Sequence, residues 1–152
     1  MAETDVLIRR GTLEDCPAIA AFNLAMAQET EGKQLDPETV RAGVEALMEQ
    51  SHYGFYVVAE QAGQPAACLL ITFEWSDWRN GVIWWIQSVY VAPACRRQGI
   101  FRQLYQQVQT WASQAKACGL RLYVEEENRP AQTTYAALGM KPAGYRVFEA
   151  LF

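Results

Sequence analysis

The chain has 152 residues, of which 51% are hydrophobic and 20% are charged, so it can bury one ordinary globular core. Thirteen basic and 17 acidic residues give a net charge of −4, which argues against a nucleic-acid partner because such binding needs a basic surface. No apolar stretch approaches the roughly 20 residues of a membrane span. We therefore predict one domain over residues 1–152, with neither a nucleic-acid nor a membrane partner.

The cysteines and the single histidine do not form a metal-binding pattern. His52 is alone, and four widely separated cysteines contain no C-x-x-C pair: Cys16, Cys68, Cys95 and Cys118. This spacing argues against a zinc site and against a disulfide framework. Residues 1–5 are acidic and lack the basic region of a secretory signal. We therefore expect reduced thiols, no metal and a cytoplasmic location.

The first third of the chain predicts one strand followed by two helices. Val6–Arg10 has the composition of a strand, and Thr12 followed by Asp15 is typical of a helix start. A second start signal is Asp36 followed by proline. Apolar residues recur at helical spacing in both segments, at Ile19, Phe22 and Met26 and then at Val40, Val44, Leu47 and Met48.

The middle of the chain predicts three strands joined by short turns. Residues 54–60 and 67–75 are rich in β-branched and aromatic side chains, with a glycine–proline turn between them. Asn80-Gly81 is a strong hairpin signal. Residues 82–91 are then nearly apolar throughout, as expected for a central strand that is covered on both faces.

The last third alternates helices and strands. An apolar stripe begins at Ile100 and reaches Cys118, which predicts a long helix ended by Gly119. A strand over 120–125, a short helix over 130–138 and a final strand over 145–151 complete the pattern. Antiparallel strands with one β-α-β crossover predict an α/β fold with a mixed sheet.

A basic turn between the central strand and the long helix is the most informative segment. Arg96, Arg97 and Arg102 surround Gly99 within a chain that is acidic overall. The N–H groups at a helix N-terminus attract phosphate oxygens. One glycine is too few for a Walker loop or a dinucleotide fingerprint. From the residues alone, a solvated turn and a phosphate site fit equally well.

Two motifs resemble the GNAT superfamily of N-acetyltransferases. Residues 96–101 resemble its acetyl-CoA signature, Gln/Arg-x-x-Gly-x-Gly/Ala, with Phe101 in place of the last small residue. Residues 128–135, followed by Leu138-Gly139, resemble its second motif. The motifs occur in the family's order, and the predicted elements match it over nearly the whole chain. The resemblance implies a GNAT-like fold with a mostly antiparallel central sheet, splayed at the cofactor site and flanked by helices.

The resemblance also implies acetyl-CoA as cosubstrate. The Val89 amide is then expected to face the thioester carbonyl, and Val91 to pair with the pantetheine arm. Backbone N–H groups of the turn are expected to hold the pyrophosphate, and Asn128 to orient the pantetheine and to cap the short helix. The residues implied in cofactor binding are Val89, Tyr90, Val91, Arg96, Arg97, Gln98, Gly99, Ile100, Phe101, Arg102, Asn128, Ala131 and Tyr135.

Catalysis in this family implies a proton donor for the departing thiolate, and Tyr135 matches that position. Trp85 occupies the position of the glutamate base of histone-acetylating relatives. Glu74 is therefore our first choice as general base and Glu125 the second, with a water chain as an alternative.

The implied reaction is transfer of an acetyl group to a primary amine by direct attack in a ternary complex. We expect a small-molecule acceptor rather than a protein. A protein acetyltransferase that acts on N-termini or lysines, and a non-catalytic acyl-CoA-binding regulatory module, are the alternatives. The sequence decides neither the acceptor nor whether the chain forms a homodimer.

Overall fold

A computed structural model describes residues 5–152 of the chain, so most of the acidic N-terminal segment, residues 1–4, lies outside the described residues. The strands and helices are β1 (Val6–Arg10), α1 (Cys16–Glu31), α2 (Pro37–Glu49), β2 (Gly54–Gln61), β3 (Gln64–Ser76), β4 (Gly81–Val91), α3 (Ile100–Gln114), β5 (Gly119–Leu122) and α4 (Arg129–Ala137).

The five strands form one sheet in the order β1-β2-β3-β4-β5. The first three pairings are antiparallel, whereas β4 and β5 are parallel and are joined by the crossover helix α3. The predicted mixed and mostly antiparallel sheet is therefore confirmed. The Asn-Gly signal is also explained, because Asn80 has a φ of 51° at the tip of the β3–β4 hairpin.

Helices cover both faces of the sheet. On one face α1 and α2 pack against β2 and β3, around Ile19, Val44 and Tyr56, all 5% exposed or less. On the other face α3 packs against the sheet, where the Phe55 ring lies 5.3 Å from that of Trp84. Side chains of one strand thus contribute to two separate cores, as alternation along a strand requires.

The start of α1 is fixed by a buried carboxylate. Asp15 is 4% exposed, and it accepts a hydrogen bond of 2.7 Å from the Thr12 N–H. The Arg9 guanidinium donates two further bonds to the same carboxylate, at 2.7 and 2.9 Å. The predicted capping pair of Thr12 and Asp15 is therefore present, and an ion pair links it to β1.

The helix α3 ends four residues earlier than predicted, at Gln114. The chain turns at Lys116, whose φ is 60°, and the Ala117 N–H donates to the Ala112 carbonyl at 2.9 Å. This bond and the Lys116 N–H to the Ser113 carbonyl, at 3.0 Å, form a Schellman cap. A lysine thus takes the left-handed position that the prediction gave to Gly119, which instead begins β5.

The chain divides into two compact units, one ending at Leu122 and one formed by Tyr123–Phe152. The second unit contains α4, and within the described residues it has no strand. The predicted strand over 145–151 is therefore wrong. Val147 and Phe148 are adjacent apolar residues, so they interrupt the alternation that a half-buried strand needs, and they are 64% and 93% exposed.

Among the described residues, no helix combines the length and the apolar character that crossing a membrane requires.

Candidate active site

A β-bulge interrupts β4 at Ser88 and Val89. Cys68 pairs with Tyr90 and Leu70 with Gln87, so two residues of β4 lie opposite the single residue Leu69. Ser88 has a φ of 50°, in the left-handed region that non-glycine residues rarely adopt. Bulges of this kind re-aim backbone groups and are common beside active sites.

The bulge lies just beyond the point where β4 stops pairing with β5. The β4–β5 ladder runs from the pair Ile83–Gly119 to the pair Ile86–Leu122, and β4 continues for five residues beyond it. On the other side the Ala92 N–H donates to the Ala66 carbonyl of β3 at 2.8 Å.

Backbone alternation then sets the direction of the next residues. Because Ala92 and Tyr90 face β3, the polar backbone groups of Val89 and Val91 face the opposite edge. These are the two valines that are expected from the sequence to offer backbone groups to a ligand, which stays a prediction.

The loop between β4 and α3 contains two left-handed residues. Arg97 has a φ of 64° and Gly99 a φ of 75°, and Gly99 is the N-cap of α3. Apart from Gly99 itself and its two chain neighbours, no heavy atom lies within 4 Å of the position that a Cβ on Gly99 would take. The first turn of α3 presents N–H groups that have no acceptor within the helix. This combination suits a phosphate group that approaches the backbone closely.

The Arg96 side chain contacts Glu29 of α1 and the end of β4. Its Nη2 donates to Glu29 Oε2 at 2.7 Å, and its Nε donates to the Val91 carbonyl at 3.0 Å. The Tyr90 hydroxyl donates to Glu29 Oε1 at 2.9 Å. Arg96 nevertheless remains exposed, as do Arg97 and Arg102 in the loop and the first helical turn.

The remaining signature residues occupy different environments. Gln98 is exposed, and its Oε1 accepts a hydrogen bond of 3.0 Å from Gln61 of β2. Ile100 is 2% exposed and belongs to the core, while Phe101 is half-buried with its ring 6.4 Å from that of Tyr105. A phenylalanine at the signature's last position is thus accommodated, because its side chain packs along α3.

A cluster of polar side chains lies on one face of the sheet and links β3, β4 and β5. Glu74 accepts a hydrogen bond of 2.8 Å from Trp85 Nε1 and one of 3.0 Å from Arg121 Nη1. Nearer the bulge, Gln87 donates to the Thr72 hydroxyl at 2.6 Å. Glu74 is five residues from Leu69 along β3, which corresponds to about 17 Å. Glu74 is therefore beyond direct hydrogen-bond reach of the bulge.

In the second unit, Asn128 begins α4 as predicted. Its Oδ1 accepts a hydrogen bond of 3.2 Å from the Ala131 N–H. Tyr135 lies in the last turn of α4, so the helix N-terminus does not supply a field that would favour its phenolate. Burial raises the pKa of the Tyr135 phenol above its ordinary value. Tyr135 is therefore protonated at neutral pH.

Comparison with known proteins decides the family. The model of the acetyltransferase (GNAT) family matches residues 19–140 and spans both units. The chain belongs to the GNAT family. It is 28% identical over 116 residues to an aminoglycoside N(6')-acetyltransferase type 1 of Serratia marcescens, covering 74% of this chain and 79% of that protein.

Solved structures of GNAT acetyltransferases share the fold. A possible acetyltransferase from Clostridium difficile 630 is 40% identical, with a TM-score of 0.90 over 97% of both chains. A predicted acetyltransferase from Clostridium acetobutylicum, solved with acetyl-CoA, is 16% identical and has a TM-score of 0.78 over 96% of both chains. The chain is thus a GNAT-type acetyltransferase, of a family that uses acetyl-CoA. In the part of the chain that is described, no cluster of three or more metal-ligating side chains occurs.

Sequence reasoning missed two features of this region, the bulge at Ser88 and the pairing of Glu29 with Arg96. A bulge centred on a glycine would have left a signal, but a serine within an apolar strand does not. Glu29 lies 67 residues before its partner Arg96, so no local pattern connects them.

Proposed function

We propose that this chain is an acetyl-CoA-dependent N-acetyltransferase that acetylates a primary amine of a small molecule by direct attack in a ternary complex. The observation that carries the proposal is the bulge at Ser88, which turns β4 backbone groups toward an open edge just ahead of the Gly99 loop. An extended pantetheine arm contains amides that can pair with a strand edge, and its pyrophosphate suits the N-terminus of α3.

In this proposal the backbone of β4 polarises the thioester. The Val89 N–H donates to the carbonyl oxygen as negative charge develops on it, a contribution of about 3 kcal/mol for one preorganised donor. Val91 pairs with the pantetheine arm, and Tyr90 between them points its ring toward α1, where it lies 5.3 Å from the Phe22 ring. The bulge matters because alternation in an unbroken strand would give these groups a different direction.

The loop and the starts of two helices hold the rest of the cofactor. Arg97 and Arg102 supply charge to the pyrophosphate, and Arg96 contributes through the loop backbone. Asn128 and Ala131 orient the pantetheine from α4. The backbone N–H groups assigned to the pyrophosphate belong to Arg97, Gln98, Gly99, Phe101 and Arg102.

Tyr135 protonates the thiolate that leaves. A phenol of pKa about 10 is a weaker acid than a thiol of pKa about 8.5, so transfer is uphill by about 2 kcal/mol in water. Burial raises the pKa of Tyr135 further, which keeps the proton in place before reaction. The same burial destabilises a thiolate, so the leaving group gains basicity in parallel.

The acceptor amine must lose a proton before it attacks. For an alkyl amine of pKa about 10.4, neutralisation at pH 7 costs about 4.6 kcal/mol. At about 17 Å along the strand, Glu74 can receive this proton only through intervening water. Its carboxylate is held by hydrogen bonds from Arg121 and Trp85, and the ion pair with Arg121 is neutral overall.

A small-molecule acceptor is supported by the aminoglycoside acetyltransferase that the chain resembles. We further propose a cytoplasmic location, which the four cysteines without disulfide partners support.

The test is release of CoA by the full chain, measured with a panel of aminoglycosides, simple diamines, a lysine peptide and a peptide with a free N-terminus. The proposal predicts turnover on small amines and intersecting initial-velocity lines, as a ternary complex requires. Turnover on the peptides alone would instead establish a protein acetyltransferase. Tight acetyl-CoA binding in calorimetry without turnover on any amine would establish a binding module.

A further inference from the structure

We propose that Glu29 is a positioning residue for the cofactor loop, which holds Arg96 so that the loop keeps the shape that binds pyrophosphate. This inference rests on the proposed acetyl-CoA site. It assigns a role in cofactor binding to the last turn of α1, an element whose sequence shows no cofactor motif.

Glu29 connects three parts of the chain. Its two carboxylate oxygens accept hydrogen bonds from Arg96 Nη2, at 2.7 Å, and from the Tyr90 hydroxyl, at 2.9 Å. Arg96 Nε completes the arrangement by donating to the Val91 carbonyl at 3.0 Å, and its guanidinium lies 5.4 Å from the centre of the Tyr90 ring. The last turn of α1, the end of β4 and the loop are therefore joined by one guanidinium.

The loop needs such a brace because of its backbone conformation. Arg97 follows Arg96 directly and has a φ of 64°, which a non-glycine residue keeps only when its surroundings hold it. The N–H of Arg96 makes only a long bond of 3.4 Å to the Pro93 carbonyl. The side chain of Arg96, rather than its backbone, thus fixes the residue that precedes the strained position.

The charges of Glu29 and Arg96 distinguish two roles for Glu29. It either braces the loop or competes with the phosphates for Arg96. The hydrogen bonds from Arg96 and Tyr90 lower the pKa of Glu29, so it is ionised throughout the neutral range and neutralises Arg96. If Glu29 merely withheld Arg96 from the phosphates, its neutralisation would release a cation and strengthen acetyl-CoA binding. If Glu29 braces the loop, the same change weakens binding.

The experiment compares Glu29→Gln with wild type in the full chain, using acetyl-CoA and acetyl-pantetheine, which lacks the pyrophosphate. We expect the KM for acetyl-CoA to rise roughly three- to tenfold, with kcat at saturation nearly unchanged. The kcat/KM for acetyl-pantetheine should stay at the wild-type value. Glu45→Gln is the matched control, because Glu45 is exposed on α2, and it should leave all these constants unchanged.

A double-mutant cycle tests whether Glu29 and Arg96 act as one unit. Arg96→Gln should raise the KM for acetyl-CoA to a similar extent, and the double variant should be no worse than either single variant. Additive losses would mean that Arg96 contacts the cofactor independently, which overturns the brace.

The remaining outcomes separate the inference from the function on which it rests. An unchanged or lower KM for acetyl-CoA in Glu29→Gln would overturn the brace and leave the proposed function intact. An equal loss with acetyl-pantetheine would show a general structural defect and also overturn it. Failure of the wild-type chain to bind acetyl-CoA in calorimetry would overturn the proposed function itself.

Discussion

Gly99 and Gly63 share the same positive φ but lie in different parts of the fold. Both have a φ of 75°, and at neither position does an added Cβ come within 4 Å of a heavy atom outside the glycine and its two chain neighbours. A side chain at either position therefore costs similar backbone strain, of about 1–2 kcal/mol. Only Gly99 caps the helix proposed to hold the pyrophosphate, whereas Gly63 lies in the β2–β3 turn.

This pair gives a controlled test of the phosphate site. Gly99→Glu should abolish acetyl-CoA binding, because it adds bulk and negative charge where the pyrophosphate approaches, while the chain stays folded. Gly63→Glu should lose similar stability and keep full cofactor affinity. Calorimetric titration with acetyl-CoA, together with thermal melting, measures both effects. A folded Gly99→Glu protein with wild-type affinity would disprove the assignment of the loop.

Tyr135 can be tested without disturbing its packing. Tyr135→Phe keeps the ring and removes the acidic proton, so acetyl-CoA affinity and stability should persist while kcat falls by roughly 10²–10⁴. The loss should shrink for an acyl donor with a more acidic thiol, since that thiolate needs less help to leave.

Tyr105 supplies the matched control for this substitution. It is another tyrosine whose phenol pKa is raised by burial, and it lies on α3. Tyr105→Phe should keep wild-type kcat. Equal activity of Tyr135→Phe and wild type, on an amine for which chemistry limits the rate, would assign the proton transfer to water or to another group.

At the scale of the element, β4 depends on the conformation of Ser88. A β-branched residue is strongly disfavoured at a φ of 50°, so Ser88→Val should remove the bulge or strain it, at a cost of about 1–3 kcal/mol. Because the bulge sets the direction of the Val89 N–H, kcat should also fall by at least tenfold.

The variant Ser88→Gly separates backbone conformation from the hydroxyl group. Glycine adopts positive φ without strain, so this variant should match wild type in both urea denaturation and steady-state kinetics. A Ser88→Gly protein as impaired as Ser88→Val would instead show that the hydroxyl, rather than the bulge, is required.

Most elements could be predicted because their signals are local. Val6–Arg10 forms a strand with the predicted bounds, and Asn128 caps α4 through a contact three residues away. The missed features depend on distant residues. Lys116 ends α3 because the chain must turn to pair β5 with β4, and Glu29 meets Arg96 only in the folded sheet. The segment 145–151 shows the converse, because its strand-like composition lacks the strict alternation of a half-buried strand at Val147 and Phe148.

At the scale of the whole molecule, buried and paired titratable groups should limit stability at both ends of the pH range. The hydrogen bonds from Arg9 lower the pKa of Asp15 below its ordinary 3.8. The ion pair therefore contributes fully above pH 3.8, and its contribution is lost as the pH falls through the lower folded value. Asp15→Asn should lower the free energy of unfolding at pH 7 by about 1.5–3 kcal/mol and flatten the decline below pH 4.

Tyr56 should lower the free energy of unfolding as the pH rises, whereas Asp15 lowers it as the pH falls. Burial raises its pKa from 10.0 to about 12, so the folded chain holds this proton more tightly than the unfolded chain does. The contribution is present in full below pH 10 and is lost as the pH rises toward 12, by about 2–3 kcal/mol in total. Burial also raises the pKa of the Cys68 thiol to about 12, which extends the decline to lower pH because an unfolded thiol titrates near 9.0. Urea denaturation from pH 7 to pH 11 measures this decline in the free energy of unfolding. The decline should become shallower in Tyr56→Phe and shallower again when Cys68→Ala is added. A free energy of unfolding that stays constant up to pH 11 in the wild-type chain would mean that both groups have the same pKa in the folded and the unfolded chain, which would contradict this prediction.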